Sequence, residues 1–257
     1  MNPFQAFRLG ISTYITAHRF IVRHRLWGYI LFPGLINLAL FIIFAWFAWT
    51  VTGQWMTAFE EWTGLQDTDS GAIFWIHGTL TFLLSFLLRM LMVMIYLSIY
   101  RYIMLILLSP LLALLSEKVD EILTGNRYPF SFSRLLKDAA RGSLLAIRNA
   151  FRELILSLLV YALAFVPVAG MASPFLIVII ESYFCGFSMI DYSLERKRMN
   201  LKNSIHYVRR HRWVGIANGL AFHFIYLLPF IGWVIAPTYG VVAATLAVHE
   251  LDKNNNA

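Results

Sequence analysis

Residues 29–51 read YILFPGLINLALFIIFAWFAWTV, a stretch without a single charge. At about 1.5 Å of rise per residue, a helix of this length clears the roughly 30 Å hydrocarbon core of a bilayer. Pro33 and Gly34 stand near its start, where a helix tolerates them. The stretch reads as a first transmembrane helix. The rest of the chain has the same character: 59% of the 257 residues are apolar and 14% are charged, against about 45–50% and about 25% in soluble domains. Aromatic residues make up 16%, a share suited to side chains at a lipid–water boundary. Composition excludes an ordinary soluble domain, a disordered chain, a collagen and a disulfide scaffold. The single cysteine, Cys185, has no internal partner for a bridge and cannot alone build a thiolate metal site.

Upstream, Phe4, Phe7, Ile11, Tyr14 and Ile15 fall at helical spacing. Residues 1–28 are therefore expected to hold an amphipathic helix lying on the membrane, and no cleavable signal peptide. Downstream, Gln54 to Gly71 is expected to be a loop, carrying Glu60, Glu61, Asp67 and Asp69 and no basic residue. A second apolar run starts at Ala72 and reaches Leu115, interrupted only by Arg89 and Arg101. That exceeds what a bilayer needs, so 72–125 is expected to cross the membrane and continue as a cytoplasmic helical stalk. Lys and Arg outnumber Asp and Glu by 21 to 14. They cluster at Arg8–Arg25, Lys118–Arg152 and Arg196–Arg212. Positive-inside logic puts these segments and both termini in the cytoplasm, with the acidic loop outside. The net charge of +7 then marks faces beside an anionic leaflet, not a nucleic-acid surface.

Two later apolar stretches, 154–190 and 213–250, each break near the middle. One break reads Phe165-Val166-Pro167-Val168-Ala169-Gly170 and the other Leu227-Leu228-Pro229-Phe230-Ile231-Gly232. Both are Pro-x-x-Gly elements, a weak internal repeat of the kind found in transporters with interrupted helices. The first arm of the first hairpin, Leu154 to Val166, rises only about 20 Å as a helix. Proline removes a backbone donor and glycine permits a tight turn, so each break is an apex. Short re-entrant hairpins and ordinary hairpins turning at the far surface both remain open, and arm length favours the first. The expected fold class is all-α integral membrane, with two long transmembrane helices, two short helical hairpins and the stalk.

Candidate chemistry is sparse. The chain has no Gly-rich phosphate loop, His-Glu-x-x-His or Gly-x-Ser-x-Gly. No enzyme activity, cofactor or metal is expected, and His206 with His211 reads as a solvated face. Glu181 is a carboxylate among apolar residues, and His223 faces an arm with few partners; such groups usually look into a bundle or a water path. Arg89 lies deep in the second crossing, placed either to snorkel to headgroups or to attract an anion. Arg19, Arg23 and Arg25, with Gly28 at the start of the first crossing, combine charge-assisted donors with a helix N-terminus. That combination suits an oxyanion such as sulfate, or else lipid phosphates at a topology signal.

The stretch Ser109-Pro110-Leu111-Leu112-Ala113-Leu114-Leu115-Ser116-Glu117, followed by Leu123-Thr124-Gly125, resembles a segment of the CysZ family of bacterial sulfate permeases, within the etoposide-induced-protein-like membrane superfamily. Phe32-Pro33 through Asn37, the apices at Pro167 and Pro229, and Asp191-Tyr192 add to the resemblance in the same order. It implies two long transmembrane helices, two hemi-penetrating hairpins, a stalk in which Pro110 and Glu117 are structural, a homo-oligomer, and sulfate import for cysteine synthesis across the bacterial inner membrane. The family's Gly-apolar-Arg-Arg stretch corresponds here to Arg25-Leu26-Trp27-Gly28, so the paired arginines are absent from their family places, and Arg23 and Arg25 lie upstream of them. The functional expectation is a permease for sulfate or a related oxyanion, its path lined by Pro167, Gly170, Pro229, Gly232, Glu181 and Arg89. The alternative is a non-transporting scaffold that binds membrane lipids.

Overall fold

The computed structural model describes residues 1–63, 72–126, 131–163, 166, 169–228 and 231–256. Among them the chain is helical: α1 (Pro3–Arg23), α2 (Gly28–Thr63), α3 (Ala72–Thr124), α4 (Phe132–Leu163), α5 (Ser173–Arg196), α6 (Leu201–Arg210), α7 (Arg212–Tyr226) and α8 (Ile231–Asn256). Among the described residues three stretches are long and apolar enough to cross a membrane: Gly28–Phe59, Gly170–Arg196 and Ile231–Asn254. The chain divides into two compact units, residues 1–35 with 104–257, and residues 36–103.

Local chemistry accounts for the helix ends. Asn2 caps α1 by accepting the Gln5 amide at 2.8 Å, while the Gln5 side chain accepts the Asn2 amide at 3.2 Å, with Pro3 in the first turn. α1 ends in a Schellman motif: the Leu26 amide reaches the Ile21 carbonyl at 3.1 Å and the Arg25 amide reaches Val22 at 3.3 Å. That motif puts Arg25 at φ 54°, a left-handed conformation that costs a non-glycine residue about 1 kcal/mol. The same motif ends α5, with Arg198 at φ 54°. α3 ends at Thr124, followed by Gly125 at φ 76°, where glycine avoids that cost.

Two boundaries differ from the sequence reading. α2 runs on to Thr63, through Gln54 to Trp62, because Gly53 alone, without a proline, costs a helix only about 1 kcal/mol. The expected loop therefore begins later, and residues 64–71 lie outside the described residues. α4 extends the first arm of the first hairpin backwards to Phe132, so that arm is the tail of a helix of 32 residues.

The unit of 1–35 and 104–257 is organised around α5, α7 and α8. Gly186 and Ser182 of α5 face Gly215 and Gly219 of α7. A Cβ on Gly186 would stand 1.9 Å from the Gly215 carbonyl oxygen, and one on Gly219 would stand 1.8 Å from the Ser182 carbonyl oxygen. Small residues four apart on both helices let the backbones meet, the arrangement that packs helices where lipid offers no hydrophobic drive. α1 lies across α7 in similar fashion, a Cβ on Gly10 standing 2.6 Å from the Ala217 Cβ. α8 packs on α1, α5 and α7 and is buried from Ala236 to Val248 except at Tyr239. α1 buries Ala6, Gly10, Thr13, Tyr14, Ala17 and Ile21 and leaves Phe4, Ile11 and Ile15 exposed. Tyr14 therefore leaves the expected membrane-facing set: its hydroxyl donates to the Asn218 carbonyl at 2.8 Å.

In the unit of 36–103, α2 exposes Leu38, Ile42, Ile43, Trp46, Phe47 and Trp49, and α3 exposes Phe82, Leu83, Phe86 and Leu87. Apolar surface of this extent is incompatible with water and suited to lipid. This is a membrane protein.

The glycine crossing supplies its own control. Gly219→Ala should lower stability by about 3 kcal/mol, as expected for overpacking against backbone that cannot yield. At Gly215 the nearest atoms to an added Cβ are 3.7 Å away, so Gly215→Ala should be neutral or slightly stabilising. Thermal unfolding of the two variants in detergent checks the contrast.

Candidate functional site

The basic segment before α2 is built on the end of α1. Arg19 and Arg23 lie one turn apart on its exposed face, and Arg25 and Gly28 are also exposed. Nothing stands within 4 Å of a Cβ placed on Gly28. The Schellman turn fixes this corner through Leu26 and Ile21, which are 5% and 0% exposed. Neighbouring residues tie it to α8: His18 Nδ1 is 2.7 Å from the Tyr239 hydroxyl, and Thr238 donates to the Tyr29 carbonyl. One turn on, Gly34 meets the Val234 side chain so closely that a Cβ would stand 2.6 Å from it. α2 thus starts antiparallel to α8, with the arginine corner at the level of Tyr239.

The hairpin connections differ from each other. In the first, the Gly170 amide reaches the Val166 carbonyl at 2.8 Å, a 3-10 turn covers Ala169–Ala172, and the Ser173 hydroxyl donates to Val160 at 3.4 Å across the arms. In the second, the Gly232 amide reaches Leu228 at 2.8 Å, and a Cβ on Gly232 would stand 1.9 Å from the Ile225 carbonyl oxygen. Glycine is required there by close approach of the two arms. Pro167 and Pro229 lie outside the described residues.

Glu181 and His223 meet between α5 and α7, Oε2 to Nε2 at 3.4 Å. His223 Nδ1 is 2.8 Å from the Gly219 carbonyl, so Nδ1 carries a proton and donates it there. Nε2 then faces a carboxylate oxygen of Glu181. Arg89 is engaged within its own unit: its guanidinium lies 4.1 Å from the Trp49 ring centroid and its Nε donates to Thr52 Oγ1 at 3.5 Å.

Glu117 enters a buried charge cluster that sequence reasoning did not assemble. Arg196, 9% exposed, bonds Glu117 of α3, Asp138 of α4 at 2.8 Å and Glu195 at 3.2 Å. Arg141 of α4 grips Asp191 with both nitrogens, at 2.9 and 3.0 Å, and reaches Ser204 of α6 at 2.9 Å. Two guanidiniums thus hold four carboxylates and clamp α3, α4, α5 and α6 together. Partners 50 to 79 positions apart carry no local signal, although Asp191 and Glu117 each stood in a quoted motif. A second missed set, Arg148, Arg152 and Arg209, lines a groove on α4, α5 and α6. The four-residue spacing of the first two was legible.

Among the described residues no cluster of His, Cys, Asp or Glu could hold a metal ion. Helices of membrane-spanning length and close packing at glycines define an all-helical membrane protein. The family model described as sulfate transporter CysZ/etoposide-induced protein 2.4 matches residues 14–237, and the chain belongs to that family. A sulfate transporter CysZ from Pseudomonas paraeruginosa (strain DSM 24068 / PA7) is 24% identical over 234 residues, covering 89% of each chain.

Removing Arg196 would take the cation from Glu117 and Asp138 and leave Glu195 with Arg141 alone. Arg196→Met should cost about 3–5 kcal/mol, the usual penalty for breaking a buried ion cluster from one side. Arg196→Lys should fall between that variant and the parent, because a point charge cannot replace the planar fork. Thermal unfolding of the three proteins at one pH tests the order.

Proposed function

We propose that the protein is an oligomeric permease for sulfate or a related oxyanion, seated in a bacterial inner membrane with both termini in the cytoplasm and supporting sulfur assimilation. The observation that carries this reading is the family match across residues 14–237, supported by the relative's name. Arg19, Arg23 and Arg25 collect the anion at the entry corner, where all three are exposed together with Gly28 at the start of α2. The turns at Pro167–Gly170 and Pro229–Gly232 line the path, with Glu181 and Arg89 along it. Pro110 and Glu117 order the stalk. The protein carries out no ATP chemistry of its own.

Two dimensions support hairpins that enter the bilayer without crossing it. Thr238 of α8 donates to Tyr29, the first residue of the apolar run of α2, and from Thr238 to Ile231 a helix rises about 10 Å. In the first hairpin, the face of α4 that exposes Leu154, Leu158, Leu159 and Tyr161 ends with the helix at Leu163. From Leu154 that is a rise of about 15 Å, half of the roughly 30 Å core. α2 and α3 are then the two full crossings. α5 and α8 have spanning length, but much of that length is buried in protein.

Flux of radiolabelled sulfate into proteoliposomes should exceed that into empty vesicles, and equal flux would end the proposal. Arg23→Glu with Arg25→Glu should cut flux at least tenfold. Arg25→Gly should separate stability from transport: it should raise the unfolding temperature by relieving the left-handed strain, worth about 1 kcal/mol, while lowering flux through the lost charge.

A further inference from the structure

A groove between α4, α5 and α6 is lined by none of the residues of the arginine corner. It has a volume of about 420 Å³, and Arg148 and Arg152 of α4 and Arg209 of α6 converge on it over Tyr183, Phe184 and Phe187 of α5. Among the described residues none of these arginines forms a salt bridge. Arg148 donates to the neutral Asn149 amide at 3.0 Å and lies 5.9 Å from the Phe187 ring centroid. Asp191, the nearest buried carboxylate on α5, is taken by Arg141. Burial, together with the charges of Arg152 and Arg209, outweighs the opposing pull of Tyr183 and Asp191 and holds the Arg148 guanidinium below its ordinary value.

The wall of the groove selects among anions. Ile155 and Leu156 line it one turn beyond Arg152, and from there α4 exposes Leu158, Leu159 and Tyr161 while α5 exposes Leu176 and Ile179. A hydrated inorganic dianion gains nothing from such a wall. A phosphodiester attached to acyl chains satisfies both ends, its phosphate among the guanidiniums and its chains along the apolar face. We propose that Arg148, Arg152 and Arg209 form a seat for one anionic phospholipid, whose phosphate they bind and whose chains lie along α4. This site is independent of the transported anion.

The full-length protein in neutral detergent would be titrated with phosphatidylglycerol, phosphatidylcholine or sodium sulfate, reading the unfolding temperature and lipid retention by native mass spectrometry. Phosphatidylglycerol should raise the unfolding temperature and be retained, whereas phosphatidylcholine should do neither. Each of Arg148→Gln, Arg152→Gln and Arg209→Gln should weaken retention about tenfold, the worth of one charge-assisted hydrogen bond. Arg209 is exposed on α6, so Arg209→Gln keeps the test available if the others fail to fold. Arg23→Glu with Arg25→Glu should leave retention unchanged, separating this site from the entry corner. The proposal is overturned if the two lipids act alike, if Arg209→Gln retains phosphatidylglycerol as the parent does, or if sulfate displaces the lipid in proportion to occupancy of these arginines.

Discussion

Backbone contact between α5 and α7 is the constraint on which the larger unit depends. Within a bilayer, lipid is as apolar as leucine, so two helices gain little by burying side chains and much by bringing backbones together. Ser182 and Gly186 on one helix, Gly215 and Gly219 on the other, allow carbonyl oxygens to sit where a methyl group would otherwise be. The crossing sets the height of α7, and through Gly10 it sets where α1 lies. The arginine corner at the end of α1 is placed in turn.

The buried charges answer a different need. Solvent barely reaches Asp191 or Arg196, which are 2% and 9% exposed, and a lone ion there would be prohibitive. Placing two guanidiniums against four carboxylates gives each charge a partner and makes the junction of α3, α4, α5 and α6 specific in register. Apolar packing alone would let such helices slide by a turn, whereas the fork of Arg141 on Asp191 fixes one alignment.

Much of this was legible in the chain. Charge-free length announced α2, and Leu123-Thr124-Gly125 marked the end of α3. What escaped did so for physical reasons. Tyr14 sits at a spacing shared by two faces of α1, and only the tertiary fold decides that its hydroxyl seeks Asn218. Acidic residues after Gln54 read as a loop, although nothing in Gln54 to Trp62 stops a helix. Arg148 and Arg152 were counted among topology charges because sequence does not show that Arg209 arrives beside them. Glu181 and His223 were each singled out, but their pairing depends on how closely the glycines bring α5 to α7.

α5 passes from one solvent to another along its length. Phe175, Val178 and Ile179 are exposed, whereas from Ser182 to Leu194 only Tyr183 escapes full burial. Its first turns answer to a fluid that accepts any oily group. Its later turns answer to neighbours that accept one shape. Hydropathy sees a uniform rod, yet the two ends drift under different rules: the outer turns are free to exchange one aliphatic residue for another, while the inner turns change only in step with the helices that enclose them.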